Sequence, residues 1–183
     1  MALQFGVTGV LARASGIQRD LRITEPYETY GELRDIIRPP IGEAGDSYTR
    51  YLIRIHEMLN SVDLIDATLN SLTNGPIKHD LRDVAPTRNT AKTEMQGLIA
   101  HFKQYTEDFK LAPAQVYVGV ETPKGELGAF LVSDGSPKPY RCKIRPTGIS
   151  HLQALNYMVR GLYIPDVVAA IGTQDIVFGE VDR

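Results

Sequence analysis

From Asp46 onward the chain places an apolar residue at every third or fourth position: Tyr48, Tyr51, Leu52, Ile55, Leu59, Val62, Ile65, Leu69 and Leu72. That spacing follows the turn of an α-helix, so it predicts one long amphipathic helix with these side chains as its buried stripe. Asp46 or Ser47 supplies the cap and Asn74-Gly75-Pro76 the stop. A second helix is predicted from Thr90 to Lys110, with Ala91, Met95, Leu98, Ile99, Phe102, Tyr105 and Phe109 on one face and Pro113 beyond its end. Two long helices joined by the polar stretch 73–89 predict an antiparallel pair over 46–110.

After Pro113 the period shortens. Residues 114–121 are β-branched and partly alternating, 128–133 follow the turn Pro123-Lys124-Gly125, and 140–145 alternate cleanly after Asp134-Gly135. These predict a small antiparallel sheet over 114–145. In its last strand Tyr140, Cys142 and Ile144 share one face, while Arg141, Lys143 and Arg145 share the other. A short helix from Ser150 to Arg160 and an apolar stretch Ile164–Ile171 lead to the buried tail IGTQDIVFGEVDR, all within 150–183. Residues 1–45 are broken by Gly6, Gly9, Gly16, Pro26, Gly31, Pro39-Pro40, Gly42 and Gly45 and show no clear period. They read as a loop-rich lead-in without a core of its own. The fold class is α+β: a long helix pair plus a small antiparallel sheet, with no internal repeat.

Composition narrows the classes. Hydrophobic content of 43% and charged content of 23% belong to a folded globular chain. Lys+Arg of 20 against Asp+Glu of 22 is no polyanion-binding balance, which argues against nucleic acid as a partner. One cysteine excludes an internal disulfide and any four-cysteine metal site. No apolar run approaches the roughly 20 residues that span a bilayer.

Several side chains invite chemistry. Cys142 lies on the apolar face of its strand and reads as a small core residue. His56, His79, His101 and His151 are scattered without metal-ligand spacing, so no metal site is expected. Lys138, Arg141, Lys143 and Arg145 make a basic strand that suits a solvated face, an anionic ligand or an acidic neighbour. Lys124 stands on a tight turn, either as ordinary turn chemistry or aimed into a pocket. In the tail Asp175 adjoins Ile176, Val177 and Phe178, so burial would raise its pKa unless a cation accompanies it. A carboxylate in an apolar wall can exchange protons with a redox carrier. Equally, the acids and Arg183 can be simple terminal anchoring.

The segments SGIQRDLR (15–22), GDSYTRYLIRIHEM (45–58), PKGELGAFLVSDGSPKPYRCKIR (123–145) and IGTQDIVFGEVDR (171–183) resemble the quinone-site subunit of respiratory complex I. That is the 49 kDa or iron-sulfur protein 2 family, itself similar to the large subunit of nickel-iron hydrogenases. The resemblance covers nearly the whole chain and implies the C-terminal part of a hydrogenase large-subunit-like fold. It implies a core subunit that forms part of the ubiquinone-reduction site, inactive alone, in a complex coupling NADH oxidation to proton translocation. Asp175, Val177, Glu180, Val181 and Arg183 match the family's terminal motif, which lines the quinone pocket, and Phe178 belongs to the same wall. Lys124 matches the lysine of the family's PKGE turn. Asp175 is the expected proton-handling residue and Arg183 its expected screen.

On the same resemblance this chain binds no cofactor: ubiquinone is the substrate, and the electrons come from an iron-sulfur cluster in a neighbouring subunit. The hydrogenase cysteines near the C-terminus have no counterpart in this tail. Ala14, Arg19 and Thr49 also depart from the family's usual residues. The match is to the C-terminal half only, which implies that the N-terminal half of the subunit, on a separate chain, is a partner together with other peripheral-arm and membrane-arm subunits. The implied location is the matrix side of the mitochondrial inner membrane. Two other readings stand beside this one: a relative that takes electrons from ferredoxin, and a structural or assembly module without turnover.

Overall fold

The computed structural model describes residues 1–76, 86–107 and 110–182. His79, Phe109 and Arg183 lie outside the described residues. Helices α1 Ala2–Phe5, α2 Val10–Ala14 and α3 Leu21–Thr24 and a 3-10 turn Glu28–Gly31 precede the long α4, Ser47–Ser71. Then come α5 Arg88–Thr93, α6 Met95–Thr106, strands β1 Ala114–Thr122, β2 Gly125–Ser133 and β3 Arg141–Arg145, and helices α7 Gly148–Met158, α8 Ile164–Gln174 and α9 Phe178–Asp182. The strands form one antiparallel sheet in the order β1-β2-β3, so the α+β class holds.

The chain divides into two compact units, one of 1–72, 118–129 and 144 onward, the other of 73–117 and 130–143. In the first unit α4 begins where the Asp46 carboxylate accepts from the Thr49 amide at 2.8 Å, a cap worth about 1 kcal/mol. No Gly or Pro interrupts its 25 residues. The side it buries is not the expected one. Arg50, Ile53 and Leu64 are buried, with Arg54, Glu57 and Asn60 half-buried beside them, whereas Tyr48, Tyr51, Leu59, Val62, Ile65 and Leu69 are exposed. The partners of the buried side explain the reversal: they are largely hydrogen-bonding groups, so a polar stripe fits there. Arg50 Nη1, for instance, donates to the Gly45 carbonyl at 2.5 Å.

Those partners come from the segment that reads as featureless in sequence. Residues 1–45 supply most of the core, correcting the expectation that they form none. Val7, Leu11 and Ala12 pack with Ala154 of α7, flanked by Phe5, Ile17 and Met158, while Val10 and Ala14 pack on Ile53 of α4. Burying each of the larger side chains contributes about 1.5–3 kcal/mol. Helices of four and five residues are too short to show an amphipathic period. The tail is also less buried than expected: Val177 and Phe178 are exposed and Asp175 is half-exposed.

In the second unit the predicted single helix 90–110 is two. Glu94 takes an extended conformation (φ −118°, ψ 131°) between α5 and α6. Gly97 permits the fold-back, because a Cβ there would lie 2.5 Å from the Thr90 carbonyl oxygen. Strand β3 is exposed along its whole length. Cys142 is therefore a free, exposed thiol and not a core residue: alternation gives two faces, but no element among the described residues buries the apolar one. Among the described residues no helix is long and apolar enough to cross a membrane.

Candidate functional site

The turn between β1 and β2 consists of Pro123 and Lys124. Proline presets its entry, and Gly125 at φ +136° makes the exit a side chain would resist. Thr122 Oγ1 donates to the Gly125 carbonyl at 2.7 Å and closes the turn. Residues 8 and 9 lie directly against it. A Cβ on Gly9 would sit 2.5 Å from Gly125 Cα, and Thr8 Oγ1 accepts from the Glu126 amide at 3.0 Å. This backbone contact fixes where Lys124 starts.

Asp175 caps the C-terminus of α8 in a left-handed conformation (φ 54°, ψ 47°), its amide donating to the Gly172 carbonyl at 3.2 Å. Aspartate is among the few side chains that adopt this conformation readily. The cap turns both the carbonyl and the carboxylate of Asp175 toward Lys124. Lys124 Nζ donates to Oδ1 at 2.6 Å and to the carbonyl at 3.0 Å. The pair is accessible, with the side chains 29% and 44% exposed respectively. Arginines of α4 hold the same helix end: Arg54 Nη2 donates to the Thr173 carbonyl at 2.5 Å and Arg50 Nη2 to Thr173 Oγ1 at 3.2 Å. Cations at a helix C-terminus offset its partial negative charge.

A buried charge network lies in the same unit. Arg13, 1% exposed, donates through Nε to Glu57 Oε1 at 2.8 Å and through Nη1 to Glu121 Oε1 at 2.8 Å. Arg22 embraces Asp20 through two bonds, at 3.0 and 2.7 Å. Burial pushes the Asp20 carboxyl up, but the hydrogen bonds and charge of Arg22, with Arg13 behind, outweigh it and hold the group below the usual carboxylate range. At Glu57 burial wins over Arg13, so that carboxyl sits above its ordinary value. A cleft of about 460 Å³ opens beside this network, lined by Arg13, Arg22, Arg54, Glu57, Glu121 and Asp175 with Tyr30, Met58 and Pro123. Arginines with a titratable carboxylate at hand can bind a polar, oxygen-bearing head group and exchange a proton with it.

The structure brings together two of the sequence-predicted residues, Lys124 and Asp175. The cation beside Asp175 is thus Lys124, while Arg183 lies outside the described residues. Glu180 and Val181 sit on the other side of the tail, against α7. A Cβ on Gly148 would meet Glu180 Oε1 at 2.7 Å and Val181 Cγ2 at 3.1 Å. Glu180 Oε1 is buried without a hydrogen-bond partner among the described residues. Val177 and Phe178 leave an exposed apolar edge. The basic strand contributes one pairing here, Arg145 Nη1 to Glu126 Oε1 at 2.7 Å, and Arg19 reaches the same carboxylate at 2.9 Å. Among the described residues, no three His, Cys, Asp or Glu side chains gather as a metal would need.

Arg13, Asp20, Arg22, Glu57 and Glu121 join the site without having stood out in sequence. A signal was available in VTGVLARASG, where a lone arginine inside an apolar run implies a buried counter-charge. His151, one of four scattered histidines in the sequence, is fully buried.

Comparison with known proteins places the chain in a family. The family model for the 49 Kd subunit of respiratory-chain NADH dehydrogenase matches residues 1–183. The chain is 54% identical over its whole length to the NADH-ubiquinone oxidoreductase 49 kDa subunit of Reclinomonas americana, covering 46% of that protein. It is 51% identical to the protein of the same name in Prototheca wickerhamii, covering 45% of it. Against an NADH-quinone oxidoreductase subunit of the bacterium Ehrlichia ruminantium it is 48% identical, covering 46%. The chain therefore spans about half the length of the curated relatives it matches.

Proposed function

The chain belongs to the family of the 49 kDa subunit of respiratory-chain NADH dehydrogenase, and on that premise we propose that it supplies part of a quinone-reduction site. The observation that carries the reading is the Lys124–Asp175 pair at a cleft lined by arginines and carboxylates. Reducing a quinone to its quinol requires electrons and protons at the same oxygens. On this reading the electrons arrive from an iron-sulfur cluster held by a neighbouring subunit. This chain handles protons and orients the head group. Asp175 Oδ1 presents a proton acceptor and donor, and Lys124 balances its charge and limits its rotation. Val177 and Phe178, exposed along the tail, give the apolar wall that a prenylated ring requires, and Glu180, Val181 and Arg183 complete the terminal motif. Glu57, held by Arg13 in the same cleft, adds a second carboxylate to the head-group side.

Family membership supports a wider assignment, which we propose with it. The chain works as one subunit of a proton-translocating NADH:ubiquinone oxidoreductase, in its peripheral arm on the matrix side of the mitochondrial inner membrane. Its partners are the cluster-bearing subunit and the other subunits of the complex.

The reading is tested by Asp175→Asn, which keeps the left-handed cap, since asparagine also tolerates it, and removes the charge. In the assembled complex this variant is expected to lose most quinone reduction, at least tenfold or about 1.4 kcal/mol in the barrier. NADH oxidation by an artificial acceptor stays intact. Unchanged, inhibitor-sensitive quinone turnover would refute the role of Asp175.

A further inference from the structure

One helix stands behind both members of the Lys124–Asp175 pair. His151 lies in the first turn of α7 with no exposed surface. Its Nε2 faces the Thr8 amide at 3.4 Å, so the ring accepts there and carries its proton on Nδ1. Thr8 in turn receives the Glu126 amide on Oγ1 at 3.0 Å. A Cβ on Gly125 would lie 2.5 Å from that oxygen. Ring, Thr8 and turn form one packed column whose end is Lys124. At the other end of α7, Met158 Sδ accepts from Gln174 Nε2 at 2.9 Å. Gln174, also fully buried, is the residue before Asp175. The start of α7 thus fixes the lysine and its end fixes the aspartate.

We propose that His151 is a positioning residue: its neutral imidazole, by accepting the Thr8 amide, holds the β1–β2 turn where Lys124 reaches Asp175. The consequence for turnover rests on the quinone-site reading; the consequence for Lys124 does not. Protonation would turn Nε2 from acceptor to donor against a donor, and the column would lose its link. Burial is the main force keeping the ring neutral, and it moves the titration below the ordinary histidine value. The charges facing the ring are Glu180 from α9, which favours protonation, and Arg54 from α4, which opposes it. Thr8 and Gln174 bring no charge; their backbone hydrogen bonds favour the protonated ring but do not outweigh burial. The pair is therefore secure at neutral pH and released only on the acid side, once the pH has fallen past the ring's depressed titration.

The test uses the assembled complex with His151→Leu and His151→Gln. Leucine fills the space but cannot accept, whereas the glutamine Oε1 can take the place of Nε2. Acetylation of Lys124, measured by mass spectrometry relative to Lys138, is expected to rise several-fold in H151L and to stay near the wild-type rate in H151Q. Quinone reduction falls several-fold in H151L and recovers in H151Q, with NADH oxidation by an artificial acceptor unchanged in both. In the wild type, relative Lys124 acetylation climbs as pH falls; in H151Q that climb is absent. Should H151L fail to assemble, this comparison of pH profiles carries the test. Equal labelling in H151L and wild type, or a wild-type acid profile retained in H151Q, would overturn the proposal. Changed labelling with unchanged quinone turnover would retain the positioning role and refute the quinone reading instead.

Discussion

At the scale of single residues, two paired cations of one site differ in kind because they differ in burial. Arg13 is 1% exposed and holds Glu57 and Glu121. Replacing it with methionine keeps the bulk and strips two carboxylates of the cation that hydrogen-bonds them, a loss of about 3–5 kcal/mol. Denaturant unfolding of the assembled protein would register that loss. Lys124→Gln removes a pair open to solvent, worth under about 1 kcal/mol, so stability barely moves while quinone reduction falls. Similar melting of the two variants would contradict this division. Asp20 adds a pH signature. Its folded-state carboxyl sits below the unfolded value, so its contribution is fully present above about pH 4 and is lost as pH falls through the folded value. Asp20→Asn should therefore flatten the acid limb of a melting-temperature profile. Sequence reached Asp175 and Lys124 separately, each from its local setting. It did not reach their contact, because a hydrogen bond across 51 positions leaves no trace in spacing.

At the scale of elements, what was legible follows from what periodicity encodes. The stretches that became α4, α7 and the three strands are long enough to show their period, Asp46 marks the start of α4 as a cap should, and α8 reads only as an apolar stretch. Period does not say which side of a helix meets the rest of the chain. For α4 the apolar side reads as buried, whereas the polar side with Arg50, Arg54 and Glu57 is the one that packs. The site depends on a close approach that sequence shows only as scattered glycines. Gly9→Ala should disrupt the packing of residues 8–9 against the Lys124 turn, since its Cβ would meet Gly125 backbone at 2.5 Å and its φ is +64°. Gly172→Ala in α8 has open space and ordinary φ, so it should stabilise by up to about 1 kcal/mol through helix propensity. Thermal unfolding of the two variants should shift in opposite directions. Lowered stability in both would mean that α8 needs its glycine for another reason.

At the scale of the whole molecule, large apolar side chains remain uncovered along one side of α4. Leu59, Val62, Ile65 and Leu69 are each 59–62% exposed and follow the helical repeat over several turns. Isolated exposed leucines need no explanation, but a continuous stripe marks a contact surface. The chain spans 46% of the length of its relative in Reclinomonas americana, so the family contains a partner segment of the right origin. The remaining part of the family's length, on this polypeptide or a second one, is the occupant this stripe fits: an amphipathic helix whose apolar face closes over it. Two consequences can be measured. The 183-residue chain expressed alone should aggregate, and co-expression with the N-terminal part of a relative should bring both into solution. Leu59→Lys with Ile65→Lys should make the lone chain more soluble and abolish that co-purification, because the charges favour water over an apolar partner. The two substitutions lie on the side of α4 away from Ile53 and Leu64, so the core stays intact. Normal co-purification of the double variant would show that the stripe faces something other than the rest of the subunit.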